Sequence, residues 1–140
     1  MSVVEKDKKQ MSVLVVDDFQ TVREMMKGCL RQLGYQDITL ACDGAEAVEL
    51  IKSKQFDLIL CDWHMPKVLG IDVLRAVRKS PAGKGIPFIL ATSESEQGCV
   101  LQAVDAGVSN YIIKPFTVDT LKAKIESAFK KAKAMASLPG

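Results

Sequence analysis

Hydrophobic positions follow two alternating patterns along this chain. Residues 13–16 are continuously apolar and rich in β-branched side chains, and they stop at Asp17-Asp18, as a short buried strand would. From Val22 the apolar positions become Met25, Met26, Cys29, Leu30 and Leu33, spaced 3, 4, 7, 8 and 11 residues on. That spacing predicts a helix with one buried stripe, ended at Gly34. Residues 38–42 predict a second strand, Asp43-Gly44 a turn, and Ala45, Val48 and Ile51 a short helix. Residues 56–61 predict a third strand that ends abruptly on Asp62, with Pro66 soon after. Gly70 opens a helix on Ile71, Leu74 and Val77 that stops before Ser80-Pro81, and two Pro and two Gly make residues 81–87 a loop. Residues 88–91 predict a fourth strand, Val100, Leu101 and Val104 a fourth helix running to Gly107, and residues 111–113 a fifth strand. Val118, Leu121, Ile125, Ala128, Phe129 and Ala132 form the stripe of a fifth helix.

Five strands alternating with five helices imply an α/β fold: a doubly wound parallel sheet with helices on both faces and right-handed crossovers. Residues 1–10 are polar and predict a flexible extension. Residues 11–134 form one domain, and 135–140 a tail. Internal repeats and low-complexity segments are absent from the sequence.

In a parallel sheet every strand ends on the same edge, where open α/β folds place their chemistry. The residues that follow the strands are Asp17-Asp18, Asp62, Thr92 and Lys114. Three carboxylates, a hydroxyl and an ammonium therefore converge from almost the whole length of the chain. Singly, each has a plainer role: a helix cap for Asp17 or Asp18, a turn acid for Asp62, a cap for Thr92, a surface lysine for Lys114. Jointly they make a site. Two carboxylates about 5 Å apart repel by about 3 kcal/mol at an effective dielectric of 20. Lys114 offsets part of that, and a bound cation completes it. All-oxygen ligands favour Mg2+, with Mn2+ as the alternative, and such an ion suits phosphoryl chemistry.

Composition narrows the field. With 140 residues, 48% hydrophobic and 26% charged, the chain has the make-up of a soluble globular domain. A net charge of +2, with lysines gathered at 122–133 and near the N-terminus and no interleaved aromatics, argues against nucleic acid as a partner. Cys29, Cys42, Cys61 and Cys99 include no C-x-x-C pair and predict buried free thiols in a reducing compartment. No apolar run reaches the ~18 residues of a membrane span, so a cytoplasmic protein is expected.

At this point the stretches Val16-Asp17-Asp18, Asp62-Trp63-His64-Met65-Pro66, Ala91-Thr92-Ser93 and Tyr111-Ile112-Ile113-Lys114-Pro115-Phe116 resemble a known family. The chain is similar over residues 11–134 to the receiver domain of two-component response regulators, most of all to single-domain chemotaxis regulators. The resemblance implies the flavodoxin-like strand order 2-1-3-4-5. It implies that Asp62 accepts a phosphoryl group from a sensor histidine kinase, self-catalysed and not as enzymatic turnover. It implies that Asp18, Asp62 and the main-chain carbonyl of His64 hold Mg2+ with help from Asp17. Lys114, ahead of a typically cis Lys-Pro bond, pairs with the phosphoryl group. Thr92 and Tyr111 then form an output switch on the surface of the fourth helix, fifth strand and fifth helix. Position 64 is commonly Asn in chemotaxis-type receivers and is His here, so His64, together with Glu94, is expected to tune the phosphoryl lifetime. Leu69 replaces a common acid before the third helix. The implied partners are a chemotaxis-type kinase, a flagellar motor switch protein and a phosphatase, with the protein itself a monomer. Rival readings are a phosphorelay shuttle or phosphate sink and an Asp-nucleophile phosphatase. The adjacent Asp17-Asp18 pair and the lone acid on the third strand count against the phosphatase. The acidic loop after the first strand counts against a flavin-binding flavodoxin.

Overall fold

Five parallel strands carry the structure: β1 (Ser12–Val16), β2 (Asp37–Ala41), β3 (Leu58–Asp62), β4 (Phe88–Thr92) and β5 (Asn110–Ile113). They lie in the order β2-β1-β3-β4-β5. This is a computed structural model, which describes residues 7–93 and 106–136. Among the described residues the helices are α1 (Gln20–Gln32), α2 (Gly44–Ser53), α3 (Gly70–Lys79) and α4 (Val118–Ala136). The helix expected over 100–107 lies, but for its last positions, outside them.

The continuous apolar runs are strands buried on both faces, as a doubly wound sheet requires. β3 and β4 are buried at every position. Alternate side chains feed two cores. Leu14, Val16, Ile59, Cys61, Phe88 and Leu90 face α2 and α3. Val13, Val15, Leu58, Leu60, Ile89 and Ile112 face α1 and α4, where Met26, Leu30, Leu121 and Ile125 meet them. The predicted third strand begins two residues late, at Leu58, and extends through Asp62 itself. Just before it, Asp57 holds Ser12 at the start of β1 from two sides: its N–H donates to the Ser12 carbonyl at 2.7 Å and its carboxylate accepts the Ser12 N–H at 2.8 Å.

Local chemistry fixes the helix ends. α1 stops because Gly34 adopts φ +107°, with Gly34 N–H donating to the Arg31 carbonyl and Tyr35 N–H to that of Leu30, which satisfies two terminal acceptors. Asp43 caps α2 by accepting the Glu46 N–H at 2.8 Å, so the expected Asp43-Gly44 turn is a helix start. Leu69 has no acceptor to cap α3. Asp72 reaches back to its N–H at 3.1 Å instead. Within the stretch expected to be a flexible extension, Lys8–Gln10 forms a 3-10 turn, and Lys8 donates to the carbonyl of Leu33 at the end of α1.

The expectation of four buried thiols holds for Cys61 and fails for Cys42. Cys42 follows β2, an edge strand with a neighbour on one side only, and is exposed. Cys29 is half-buried, and Cys99 lies outside the described residues.

Arg78, at the end of α3, ties two loops together. Its guanidinium donates to the carbonyls of Gly107 (2.8 Å), Gly83 (2.9 Å) and Ile86 (2.7 Å), and to Ser109 Oγ (3.3 Å). Ser109 Oγ in turn accepts the Phe88 N–H, so one cation sets the entries of both β4 and β5. Arg78→Met keeps the alkyl stem and orphans these acceptors. The expected loss is about 3 kcal/mol in chemical denaturation; a loss below about 1 kcal/mol would show that water replaces the guanidinium.

Candidate functional site

Four of the five strand ends deliver groups to the same edge of the sheet. β1 runs into Asp17 and Asp18, β3 ends on Asp62, β4 ends on Thr92, and Lys114 follows β5. Register holds them together: Asp62 pairs with Ala91, Trp63 N–H donates to the Ala91 carbonyl at 2.8 Å, and Lys114 N–H to that of Thr92 at 2.7 Å. The Lys114–Pro115 peptide bond is cis.

Lys114 Nζ lies 2.7 Å from Asp62 Oδ1 and 3.4 Å from Asp17 Oδ2. Asp17 is fully buried and Asp62 is 4% exposed. The other Asp17 oxygen accepts the Phe19 N–H at 2.9 Å, and Arg23 donates to the Asp17 carbonyl at 2.6 Å. Both Asp17 oxygens are thus engaged. Burial pushes the Asp62 carboxyl up to about 6; the hydrogen bond and charge of Lys114 oppose the shift, and Asp17 and Asp18 add to it. Burial disfavours the Lys114 ammonium, but Asp62 and Asp17 outweigh burial and raise its pKa.

Asp17, Asp18 and Asp62 each present an oxygen, and these atoms lie within 4.8 Å of one another. Asp18 Oδ1 is enclosed and has no hydrogen-bond partner among the described residues. An orphaned buried carboxylate oxygen beside two further acids fits a hard divalent cation with oxygen ligands. The donor set matches Mg2+ better than zinc, which takes nitrogen and sulfur.

The remaining predicted residues divide. Thr92 is buried beside the cluster, its hydroxyl donating to the Ser93 carbonyl at 3.1 Å. The His64 side chain is exposed two residues after Asp62. Tyr111 stands half-buried on β5, at the register of Leu90, and Lys124 of α4 lies 4.8 Å over its ring. It does not join the acidic cluster. Glu94 lies outside the described residues.

Three contributors escape sequence reasoning. Arg23 clamps Asp17 from the first turns of α1, and only its spacing from the acid pair hints at this. A Cβ on Gly70 would stand 2.3 Å from the Asp62 carbonyl oxygen, so only glycine lets α3 start against the site. Lys67 adopts φ 70° in the loop after Asp62, where glycine or asparagine would be unstrained.

Comparison with known proteins agrees with this geometry. Residues 13–126 match the family described as "Response regulator receiver domain". The chain is 42% identical over 121 residues (86% of this chain, 98% of the other) to a Pseudomonas aeruginosa protein named chemotaxis protein CheY. It is 40% identical over 123 residues (88% and 95%) to Vibrio cholerae chemotaxis protein CheY-3. Among solved structures, it superposes with TM-score 0.77 and 29% identity on the receiver domain of a P. aeruginosa sensor histidine kinase, covering 86% and 98%. That structure has a magnesium ion coordinated in its active site cleft. V. cholerae CheY4 superposes with TM-score 0.78 and 30% identity, covering 84% and 98%.

Two measurements probe the electrostatics and strain. Asp62 titrates near 6 when folded against 3.8 when unfolded, so its contribution to stability is full below pH 3.8 and is lost as pH rises through 6. Mg2+ needs the ionised form. The rise in Tm given by 10 mM MgCl2 is expected to be near zero at pH 4.5 and about 5 °C at pH 7.5, and an equal rise at both would place the cation away from Asp62. Lys67→Asn is expected to stabilise the protein by about 1 kcal/mol in thermal melts, and destabilisation would show that the lysine side chain anchors the loop.

Proposed function

The chain belongs to the response regulator receiver domain family, and we propose that it is a phosphorylation-driven switch in chemotaxis with Asp62 as the phosphoacceptor. The observation that carries this is the position of Asp62. It closes the central strand, nearly buried, with the Lys114 ammonium at 2.7 Å and the Asp17-Asp18 pair beside it.

In this reading an ionised Asp62 oxygen attacks the phosphorus of a phosphohistidine on the kinase. The P–N bond breaks, the histidine nitrogen regains a proton, and an acyl phosphate forms on Asp62. Lys114 transfers its short hydrogen bond from Asp62 to a phosphoryl oxygen and stabilises the charge spread over it. Asp18, Asp62 and the His64 carbonyl would hold Mg2+, which would supply charge neutralisation for the transferring group. Asp17, with both oxygens engaged, orients Lys114 and would assist at the ion. Thr92 leaves the Ser93 carbonyl for the phosphoryl group, and Tyr111 leaves Lys124 and turns inward. The equilibrium between two surface states is thereby shifted. His64 and Glu94 set how readily water attacks the acyl phosphate.

The family match spans residues 13–126, within a receiver unit proposed to cover 11–134. Two relatives at 40% identity or more are named chemotaxis proteins, which favours a chemotaxis kinase as donor and a flagellar motor switch protein as output partner over a relay shuttle. No helix among the described residues is long and apolar enough to cross a membrane, which accords with a cytoplasmic role.

Trp63, 5% exposed and next to Asp62, is a built-in reporter. Its fluorescence is expected to change on adding Mg2+ and to change again with acetyl phosphate. Asp62→Asn should abolish the second change. Persistence of that change in the variant, or its appearance without a divalent ion, would overturn the mechanism. Capture by a motor switch peptide only after phosphorylation separates motor control from transfer to a histidine phosphotransfer domain.

A further inference from the structure

The opposite edge of the sheet, where the strands begin, holds a groove of about 970 Å³. Met11, Asp57 and Pro87, which immediately precede β1, β3 and β4, lie along it, between the end of α1 and one flank of α4. Its apolar surface comes from Tyr35, Phe56 and Ile125, each under 5% exposed, and from the partly buried Met11, Leu33 and Phe129. Its volume lies within the ~300–1,000 Å³ of small-molecule sites.

The rim is cationic. Lys8, Lys122, Lys130 and Lys133 border the groove against two acids, Asp57 and Glu126. Asp57 already accepts the Ser12 N–H. Lys8 closes one end, donating to the Leu33 carbonyl and lying 5.8 Å over the Tyr35 ring. Lys122 and Lys130 are exposed on the flank of α4, two turns apart by their spacing, and neither forms a hydrogen bond or ion pair with any described residue. A bare inorganic anion would leave the aromatic wall unused, and a neutral hydrophobe would leave the lysines unused.

We propose that this groove binds an amphiphilic organic anion: an aromatic or aliphatic body against Phe56, Tyr35 and Phe129, with a carboxylate, sulfonate or phosphate head paired to Lys122 or Lys130. The site is independent of the phosphoryl-transfer reading. Five strand residues, about 16 Å, separate the two edges of the sheet.

The probe is 8-anilinonaphthalene-1-sulfonate, titrated into the full chain by fluorescence and competed with decanoate. Saturable one-site binding in the micromolar range is expected, displaced by decanoate and not by inorganic phosphate. The double variant Lys122→Glu/Lys130→Glu should weaken binding at least tenfold while keeping a cooperative thermal melt, and Phe129→Ser should do the same. If Phe129→Ser loses its cooperative melt, the lysine pair decides. Removal of residues 1–6 should alter affinity less than threefold, and sedimentation should show monomer with and without the dye. The proposal fails if binding does not saturate, or if the double lysine variant binds as the parent does. It fails equally if removing residues 1–6 tightens binding tenfold, which would make the chain's own terminus the occupant. A dimer that the dye dissociates would assign the groove to a second copy.

Discussion

One ammonium, 2.7 Å from Asp62 and 3.4 Å from Asp17, makes it possible to crowd three carboxylates at one edge of the sheet. A parallel sheet sends every strand end to the same side, so the acids after β1 and β3 converge whatever their separation in sequence. Repulsion of about 3 kcal/mol per pair is large beside the ~5–15 kcal/mol total stability of a domain. Lys114 offsets it, but burial, with a smaller push from Asp17 and Asp18, still holds the Asp62 carboxyl near 6, and an Asp18 oxygen has no protein partner among the described residues. The remaining negative charge is what a divalent cation can neutralise.

The scaffold holds this arrangement by devices remote from the chemistry. Arg23 holds the Asp17 main-chain carbonyl, and the Phe19 amide and Lys114 hold its carboxylate. Gly70 lets the first turn of α3 rest on the Asp62 carbonyl. Arg78 ties the loop before β4 to the turn before β5, and β5 carries Lys114 at its end. A single guanidinium therefore supports the placement of the site's own cation from the other end of the strand. Burial lowers the Arg78 pKa, yet the carbonyls around it keep the cation solvated by protein.

The two edges of the sheet differ in kind. At the carboxyl edge, clustered acids face one lysine and fit a small, hard cation. At the amino edge, aromatic and aliphatic side chains lie under lysines and suit a larger, softer anion. Similarity to named chemotaxis proteins and to a magnesium-bound receiver bears on the first edge only.

The sequence by itself determined the alternation of strands and helices, the parallel sheet and the convergence of Asp17, Asp18, Asp62, Thr92 and Lys114. These follow from hydrophobic period and strand polarity, which are local properties that any contiguous window displays. Boundaries were less legible: the third strand runs from Leu58 through Asp62, and the Asp57 carboxylate that caps the Ser12 amide has its partner 45 positions away. The exposure of Cys42 depends on which strand lies at the edge, and composition around the cysteine does not reveal that. The Arg78 tether, the left-handed Lys67 and the lysine-rimmed groove were decided by tertiary structure alone. Each depends on distances between segments remote in the chain or on a backbone angle imposed by packing, and no periodic pattern encodes either.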